Sequence, residues 1–352
     1  MSKVPVRPSV EALPAYQPGA RPSGRLVYKL SSNELPEPPL PGVLAAVQDA
    51  AADLNRYPRL MPDDLIDAIA LHHDVEPAEV AVGAGAIAVL QHAIVAFVGE
   101  GDEVVYGWRS FEAYPILLGV AGARPAPVPL AAGGRLDLAA MAAAITPRTR
   151  AVLLCSPNNP TGPALRSAEF EDFMAKVPPD VLVVADEAYA EFVTDPEAAD
   201  AVAALEDHPN LLAVRTFSKA YGLAGLRVGY ALGRSRLIEA VRAATTPFSV
   251  SALAELAALY SLQMAEALAR RVAEVVATRQ FMAEGLTAQG WDVPDPQGNF
   301  VWLDLGVDAA PFADACQRAG LLVRPFPGEG VRVSAGERAA AERFLEVAST
   351  WA

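Results

Sequence analysis

The sequence predicts an α/β protein with a mostly parallel central sheet in a large domain, followed by a smaller α+β domain. From about residue 80 the chain alternates short apolar runs with amphipathic helical patterns. Near-continuous apolar strands between helices are typical of a parallel sheet covered on both faces. After residue 235 the pattern becomes mainly helical and closes with two strands and a last helix. A chain of 352 residues has room for about two such domains.

The elements before the sheet are an arm and two helices. Residues 1–32 are rich in proline and weakly periodic, so we expect an arm that packs on the small domain or on a partner subunit. The segment LPGVLAAVQDAAADLNRYP predicts a helix that ends before Pro58, because a residue before proline disfavours helical geometry. The segment MPDDLIDAIALHH predicts a second helix, with acidic residues in its first turn that suit the helix dipole.

Six apolar runs are the candidate strands of the large domain, which we place at residues 33–240. They are EVAVG, DEVVYG, RPAPVPL, TRAVLLCSP, DVLVVADEAY and NLLAVRTFS. Helical patterns such as AIAVLQHAIVAFV and RSAEFEDFMAKV lie between them. Residues 241–352 form the predicted small domain, whose strands are NFVWLDL and GVRVSAG.

Charge and composition exclude several classes of protein. A net charge of −14 and a pI near 4.8 argue against a nucleic-acid or anionic-membrane partner, since both need a basic surface. The start lacks the apolar core of a signal peptide, and no stretch has the length of a membrane span. Cys155 and Cys316 are far apart in sequence, so we expect buried thiols and a cytoplasmic location. The four histidines form no ligand-spaced set, and we expect no metal site.

Lysine is rare in this chain, and one lysine lies among small and apolar residues. Of the 28 lysines and arginines only four are lysines, and Lys219 lies in TFSKAYGLAGLRVGY, residues 216–230. A lysine amine can lose its proton and form a Schiff base, whereas an arginine cannot. Apolar neighbours lower the pKa of a lysine, so this segment predicts a reactive amine.

Four of the predicted strands end in residues that suit one ligand. Lys219 follows one strand, Asp186 ends another, Asn158 follows a third, and the glycines of VGAGAI follow a fourth and open a helix. Ligands of open parallel sheets bind at the carboxyl ends of strands. Pyridoxal 5′-phosphate needs three of these groups: an amine for its aldehyde, a carboxylate for its ring nitrogen and a helix N-terminus for its phosphate.

Residues 216–230 resemble the active-site lysine segment of the fold type I pyridoxal-phosphate aminotransferases, in the branch of the histidinol-phosphate and aromatic aminotransferases. Further motifs of that family follow each other in family order over nearly the whole chain: SSNELPEPP, NRYP, SPNNPTGP, DEAYAEF and VRVSAG. The segments FVGEGDEVVY and EVVYGWRSFEAYP look closest to the aromatic aminotransferases. The resemblance implies the PLP-dependent transferase fold type I.

The resemblance also implies roles around the cofactor ring. Lys219 would bind the cofactor aldehyde as a Schiff base and carry the proton between Cα and C4′. Asp186 would pair with the ring nitrogen, and Tyr189 and Asn158 would hydrogen-bond the ring hydroxyl O3′. Phe111 would stack on the ring, at a position where many histidinol-phosphate enzymes have tyrosine.

For the cofactor phosphate, the resemblance implies a site made of backbone and side-chain donors. The backbone amides of Gly85 and Ala86 would bind it together with Ser218 and Arg227, and Thr216 is a further candidate. The family often has a serine near position 86. Ala86 lacks that hydroxyl donor, so the phosphate would depend more on the backbone amides and on Arg227.

The remaining implied roles concern the partner subunit and the substrate. Tyr57 in NRYP would reach the phosphate bound by the neighbouring subunit, which implies a homodimer. Arg332 would hold the substrate α-carboxylate with both nitrogens of its fork, and Asn33 and Tyr16 would face the substrate.

The implied reaction moves an amino group from an aromatic amino acid to a 2-oxo acid such as 2-oxoglutarate. A histidinol-phosphate aminotransferase is the first alternative, but it would need a second anion site for its phosphate, and the arm has no convincing basic cluster beyond Arg7, Arg21 and Arg25. A pyridoxal-phosphate decarboxylase of the threonine-phosphate type is a second. A cofactor-binding regulatory module is a third, but such modules usually carry a helix-turn-helix, for which the arm has no room.

Overall fold

The computed structural model describes residues 4–13 and 28–351. The strands are β1 (Tyr28–Lys29), β2 (Val80–Gly83), β3 (Glu103–Trp108), β4 (Arg124–Pro129), β5 (Thr149–Cys155), β6 (Leu182–Asp186), β7 (Leu211–Thr216), β8 (Gly229–Gly233), β9 (Phe300–Asp304), β10 (Leu321–Leu322), β11 (Arg324–Phe326) and β12 (Gly330–Ser334). The helices are α1 (Pro8–Glu11), α2 (Pro41–Ala50), α3 (Asp63–His73), α4 (Ala86–Phe97), α5 (Ala113–Ala121), α6 (Leu138–Ala143), α7 (Ser167–Met174), α8 (Ser235–Ala243), α9 (Ala252–Leu262), α10 (Ala265–Ala288), α11 (Ala309–Arg318) and α12 (Arg338–Ala348).

Seven strands form one mostly parallel sheet in the order β2-β8-β7-β6-β5-β3-β4. Strand β8 is antiparallel to both of its neighbours, and the other pairs are parallel. The six predicted strands are all present. Because β8 is antiparallel to both β2 and β7, β2 runs in the same direction as the parallel strands. Their carboxyl ends lie at the same edge of the sheet. Since β3 pairs with β4 on one side and β5 on the other, the strand order changes direction there, which opens a crevice at that edge.

Helices cover both faces of this sheet, as the continuous apolar strands predict. In β6, Val183 and Ala185 belong to one buried cluster, together with residues of α7. Leu182 and Val184 belong to a second cluster, together with residues of α4, α5 and α8. Because successive strand residues point to opposite faces, two separate cores form on the two sides of the sheet. These cores fix the strand ends that carry the polar residues.

The C-terminal part of the chain builds a smaller antiparallel sheet in the order β11-β12-β9, against which α10 and α11 pack, and α12 packs on these two helices. Strand β1 pairs in parallel with β10, so residues 28–29 lie against this C-terminal part. Helix α1 lies against α5, where Leu13 packs on Gly119. Helix α9 packs on α2 and α3. The boundaries 1–32, 33–240 and 241–352 stay predictions.

Both cysteines are free and buried. None of the described helices has the length and apolar character that crossing a membrane requires. Within residues 4–13 and 28–351, no group of three His, Cys, Asp or Glu side chains could hold a metal ion.

Candidate active site

A cavity of about 270 Å³ lies at the carboxyl edge of the large sheet. It collects most of the predicted site residues, which come from the carboxyl ends of four parallel strands, from the segment before β8 and from the small sheet. Those in its lining are Ala86, Phe111, Asp186, Tyr189, Thr216, Ser218, Lys219, Arg227 and Arg332. The convergence of these strand ends follows from the parallel strand directions.

Lys219 follows β7 by three residues, and its amine is enclosed by protein apart from the part that faces the cavity. Its Nζ donates to the carbonyl oxygens of Ser32 at 3.2 Å and Asn33 at 3.3 Å. Burial, and next the positive charge of Arg332, lower the pKa of this amine to about 7. A large fraction of the amine is therefore uncharged near neutral pH and can act as a nucleophile or a base.

Asp186 is the last residue of β6 and is buried. Its Oδ2 accepts a hydrogen bond from the hydroxyl of Tyr114 at 2.8 Å, and its Oδ1 accepts one from the backbone amide of Ala188 at 3.3 Å. Burial raises the pKa of this carboxyl to about 6, and the two hydrogen bonds oppose that rise. A cation beside this carboxylate would stabilise its charged form and lower its pKa. The position thus suits a protonated ring nitrogen.

Tyr189 is held by a buried hydrogen-bond chain. Its hydroxyl accepts from Nδ2 of Asn33 at 2.9 Å, and Oδ1 of Asn33 accepts from the hydroxyl of Ser334 at 2.8 Å. Burial raises the pKa of Tyr189, so the phenol keeps its proton and can donate it into the cavity. Asn33 is not among the residues that line the cavity. Because its side chain donates a hydrogen bond to the hydroxyl of Tyr189, it positions this phenol.

Asn158 lies just after β5, and its side chain is engaged by protein groups. Its Nδ2 donates to the carbonyl of Arg109 at 3.0 Å and to Oγ1 of Thr161 at 2.7 Å, while its Oδ1 accepts from Oγ of Ser110 at 2.6 Å. The next residue, Asn159, is the one in the lining, where its Oδ1 accepts from Arg332. The predicted contact of Asn158 with a ring hydroxyl stays a prediction.

A cradle for an anion lies at the start of α4. Gly85 precedes the helix with φ of 83°, and a Cβ there would lie 2.4 Å from Nη2 of Arg227. The arginine Nη1 also donates to Oγ of Ser218 at 3.2 Å, and Oγ1 of Thr216 accepts from the amide of Ser218 at 3.1 Å. The first amides of a helix lack partners within it, so Ala86 and this arginine point donors at one place.

The other predicted residues have more varied positions. Phe111 lines the cavity and lies edge-on to Tyr114, with 5.7 Å between ring centroids. Tyr57 is 87% exposed, packs on the ring of Phe248 and lies outside the described lining. Tyr16 lies outside the described residues.

Several lining or supporting residues are missing from the sequence-based set: Ser110, Glu112, Tyr114, Asn159 and Arg324. Tyr114 had a usable signal, because it follows Phe111 by three residues, the spacing at which side chains of one helical turn are neighbours. Arg324 had another, because VRPFPGEGVRV predicts a hairpin with an arginine on each strand. Ser110 and Glu112 act through partners that are distant in sequence.

Comparison with known proteins identifies the family. The family model described as aminotransferase class I and II matches residues 26–347. An aromatic amino acid aminotransferase of Streptomyces coelicolor is 51% identical over 344 residues, 97% of this chain and 96% of that protein. One of Thermobifida fusca is 50% identical over 349 residues, 98% and 97% of the two chains.

Solved structures show the same architecture. A histidinol-phosphate aminotransferase of Sinorhizobium meliloti, in complex with pyridoxal-5′-phosphate, superposes with a TM-score of 0.87 at 27% identity and covers 99% of this chain and 98% of its own. This likeness confirms the predicted fold type I. Because the family model matches residues 26–347 and the Streptomyces coelicolor relative is 51% identical, the chain belongs to the class I and II aminotransferase family.

Proposed function

We propose that the protein transfers the amino group of phenylalanine, tyrosine or tryptophan to a 2-oxo acid, with 2-oxoglutarate as acceptor. Enzymes of its family use pyridoxal 5′-phosphate. The observation that carries the proposal is that one cavity is lined by both the Lys219 amine, with a pKa near 7, and the buried Asp186 carboxylate. The relatives at about 50% identity are named for aromatic donors, whereas the histidinol-phosphate enzyme is 27% identical.

The residues present fit this cofactor. When bound, it supplies an aldehyde that condenses with amines and a ring that withdraws electrons from the carbon losing its proton. Asp186 would hold the ring nitrogen, because its buried carboxylate is oriented by the hydroxyl of Tyr114 and would stabilise a protonated nitrogen. Tyr189 and Asn158 would hydrogen-bond the ring hydroxyl, and Phe111 would cover one face of the ring.

The phosphate would lie in the cradle at the start of α4. The amides of Gly85 and Ala86, the hydroxyl of Ser218 and the guanidinium of Arg227 would bind it, and Thr216 orients the loop through the amide of Ser218. Helix N-termini and arginine forks are both strong phosphate ligands. Anchoring at this end would hold the cofactor in the cavity that Lys219 lines.

Lys219 would move the proton. With its pKa near 7, the amine is available as a base that would take the proton from the substrate Cα and return it to the cofactor C4′. Since the amine lies within a hydrogen bond of two backbone carbonyls, it is held in place between the two transfers. A positioned general base of this kind contributes about 10²–10⁴-fold in rate.

The substrate is held by charge and by apolar surface. Arg332 binds the α-carboxylate, which a guanidinium fork can hold with two parallel hydrogen bonds. Ile87, Leu90 and Phe326 also line the cavity and provide the apolar contact that an aromatic side chain needs.

We further propose a homodimer in which Tyr57 reaches the phosphate bound by the other subunit. Its 87% exposure and its neighbours Leu54 and Leu60, both well exposed, make an apolar surface that a second copy could cover. We place the enzyme in the cytoplasm, since its two thiols are free.

The test is a half-reaction of purified holoenzyme with single amino donors. We expect phenylalanine, tyrosine and tryptophan to convert the bound cofactor from its aldehyde to its amine form, with release of the matching 2-oxo acid. Faster conversion by histidinol phosphate would overturn the donor assignment. Release of CO₂ in place of a 2-oxo acid would identify a decarboxylase, and no conversion by any donor would reject the transaminase mechanism.

A further inference from the structure

Two arginines face the cavity from neighbouring strands. Arg324 in β11 and Arg332 in β12 are directly opposite each other in an antiparallel pair, and both line the cavity. Directly opposed residues of such a pair project to the same face of the sheet, and like charges placed in this way repel each other. An anion beside one of them relieves that repulsion.

Glu112 supplies this anion. Nη2 of Arg324 donates to Oε2 of Glu112 at 2.7 Å, and both residues belong to the cavity lining. Glu112 is the residue that precedes α5, directly after Phe111, so its carboxylate also lies at the positive end of a helix. The ion pair therefore joins the segment after β3 to the hairpin formed by β11 and β12.

The two members of the pair differ in their access to water. The side chain of Arg324 is 9% exposed, whereas that of Glu112 is 27% exposed. The carboxylate can rotate away and be solvated, but the guanidinium stays enclosed at the cavity wall. A second carboxylate that enters the cavity would thus find Arg324 at a fixed place, with Glu112 as its competitor.

We propose that Glu112 is a specificity-determining residue. Its carboxylate neutralises Arg324, which favours substrates with an uncharged side chain, and a dicarboxylate must displace Glu112 from Arg324 in order to bind there. The inference rests on the proposed function. An aromatic donor carries one carboxylate, which Arg332 binds, and leaves the Glu112–Arg324 pair closed. An acceptor with a second carboxylate opens the pair and binds Arg324 in its place.

A matched control lies in the same hairpin. Nε of Arg109 donates to Oε2 of Glu329 at 2.6 Å, so this second ion pair joins the same two segments with the charges reversed. Neither residue is in the described lining of the cavity. Glu329→Gln removes one negative charge from this region without changing the partner of Arg324.

The test measures the binding of succinate to holoenzyme by calorimetry, because succinate has two carboxylates and no amino or oxo group. We expect Glu112→Gln to bind succinate about tenfold more tightly, since a charge-assisted competitor is gone, and Glu329→Gln to stay within about twofold of the parent. The kcat/KM for aspartate relative to phenylalanine should rise about tenfold in Glu112→Gln.

Two outcomes would overturn the inference. One is a succinate affinity of Glu112→Gln that equals the affinity of the parent. If thermal melting shows that Glu112→Gln does not fold, Glu112→Ala takes its place in this comparison. The other is a gain in succinate affinity that persists in the double variant Glu112→Gln/Arg324→Gln. The inference requires this gain to depend on Arg324, so removing the arginine should abolish it. Succinate binding is independent of turnover, so a parent enzyme inactive on phenylalanine would reject the proposed function and still leave this test valid.

Discussion

The hydroxyl of Tyr114 donates a 2.8 Å hydrogen bond to Oδ2 of Asp186, across 72 positions of sequence. Both groups are buried, so the bond holds the carboxylate at the end of β6 in one orientation. It also opposes the rise that burial causes in the pKa of Asp186. Tyr114 is therefore a positioning residue for the group proposed to hold the cofactor ring nitrogen.

We expect Tyr114→Phe to weaken cofactor binding about tenfold, because loss of the phenol donor raises the pKa of Asp186 above about 6. More of the carboxyl is then protonated at neutral pH and cannot pair with a protonated ring nitrogen. Raising the pH ionises it again, so the deficit should shrink from pH 6 to pH 8. Equilibrium dialysis of the cofactor at several pH values measures this.

Tyr106→Phe is the control for that experiment. Tyr106 belongs to the same buried cluster, and its ring lies edge-on to that of Tyr114 at 6.1 Å. The variant loses the same oxygen atom but keeps the bond to Asp186. A pH-independent loss of affinity in Tyr114→Phe, or an equal loss in both variants, would contradict the positioning role.

Gly85 supplies a second prediction, because two separate constraints act on it. Its φ is 83°, and an added Cβ would lie 2.4 Å from Nη2 of Arg227. Gly101 has nearly the same φ, 84°, with nothing within 4 Å of an added Cβ. Both alanine variants should lose about 1 kcal/mol of stability from backbone strain. Only Gly85→Ala should displace the arginine and weaken cofactor binding, by about tenfold.

Thermal melts and cofactor titrations of the two variants separate strain from displacement. If both variants bind the cofactor as tightly as the parent protein, Arg227 adapts to the added Cβ without loss of affinity. If both variants bind it more weakly than the parent, backbone strain alone affects the site.

The sequence predicts the fold and the residues that line the cavity well where local pattern decides the outcome. Asp186 and Lys219 are found because apolar strands end just before them, and parallel strands bring such ends together. Asn158 and Asn159 show the limit, since adjacent residues of one turn point in different directions and only the second faces the cavity. The pairing of Glu112 with Arg324 joins residues 212 positions apart, which no local pattern specifies.

A third prediction concerns the pH dependence of Lys219. The cofactor-free protein should react with pyridoxal 5′-phosphate at a rate that rises with pH and levels off above about 7, because only the uncharged amine attacks. Arg332→Gln removes a positive neighbour that lowers this pKa, so the midpoint should move to higher pH. Arg338→Gln, an exposed arginine outside the described lining, should leave the midpoint unchanged. Stopped-flow absorbance measures the rate.

The same pKa shift affects stability. Lys219 loses its proton near pH 7 when folded and near pH 10.5 when unfolded, so the unfolded chain binds more protons between these values. The contribution of this residue to stability therefore increases with pH from about 7 to 10.5. In cofactor-free protein, Lys219→Met should melt at a higher temperature than the parent at pH 7, with a difference that narrows towards pH 10. A constant difference would contradict the lowered pKa.

The last prediction tests whether Tyr57 acts across a dimer. Its ring is 87% exposed and lies outside the described lining, so it contributes to the cavity only if a second copy brings it there. Tyr57→Ala and Lys219→Ala should each be nearly inactive as homodimers. After unfolding and refolding as an equal mixture, half of the dimers are mixed, and each has one site with both Lys219 and the other subunit's tyrosine intact. Such a mixture should regain about a quarter of the parent activity. If Tyr57 serves the cavity of its own chain, no mixed dimer holds an intact site and the mixture stays inactive.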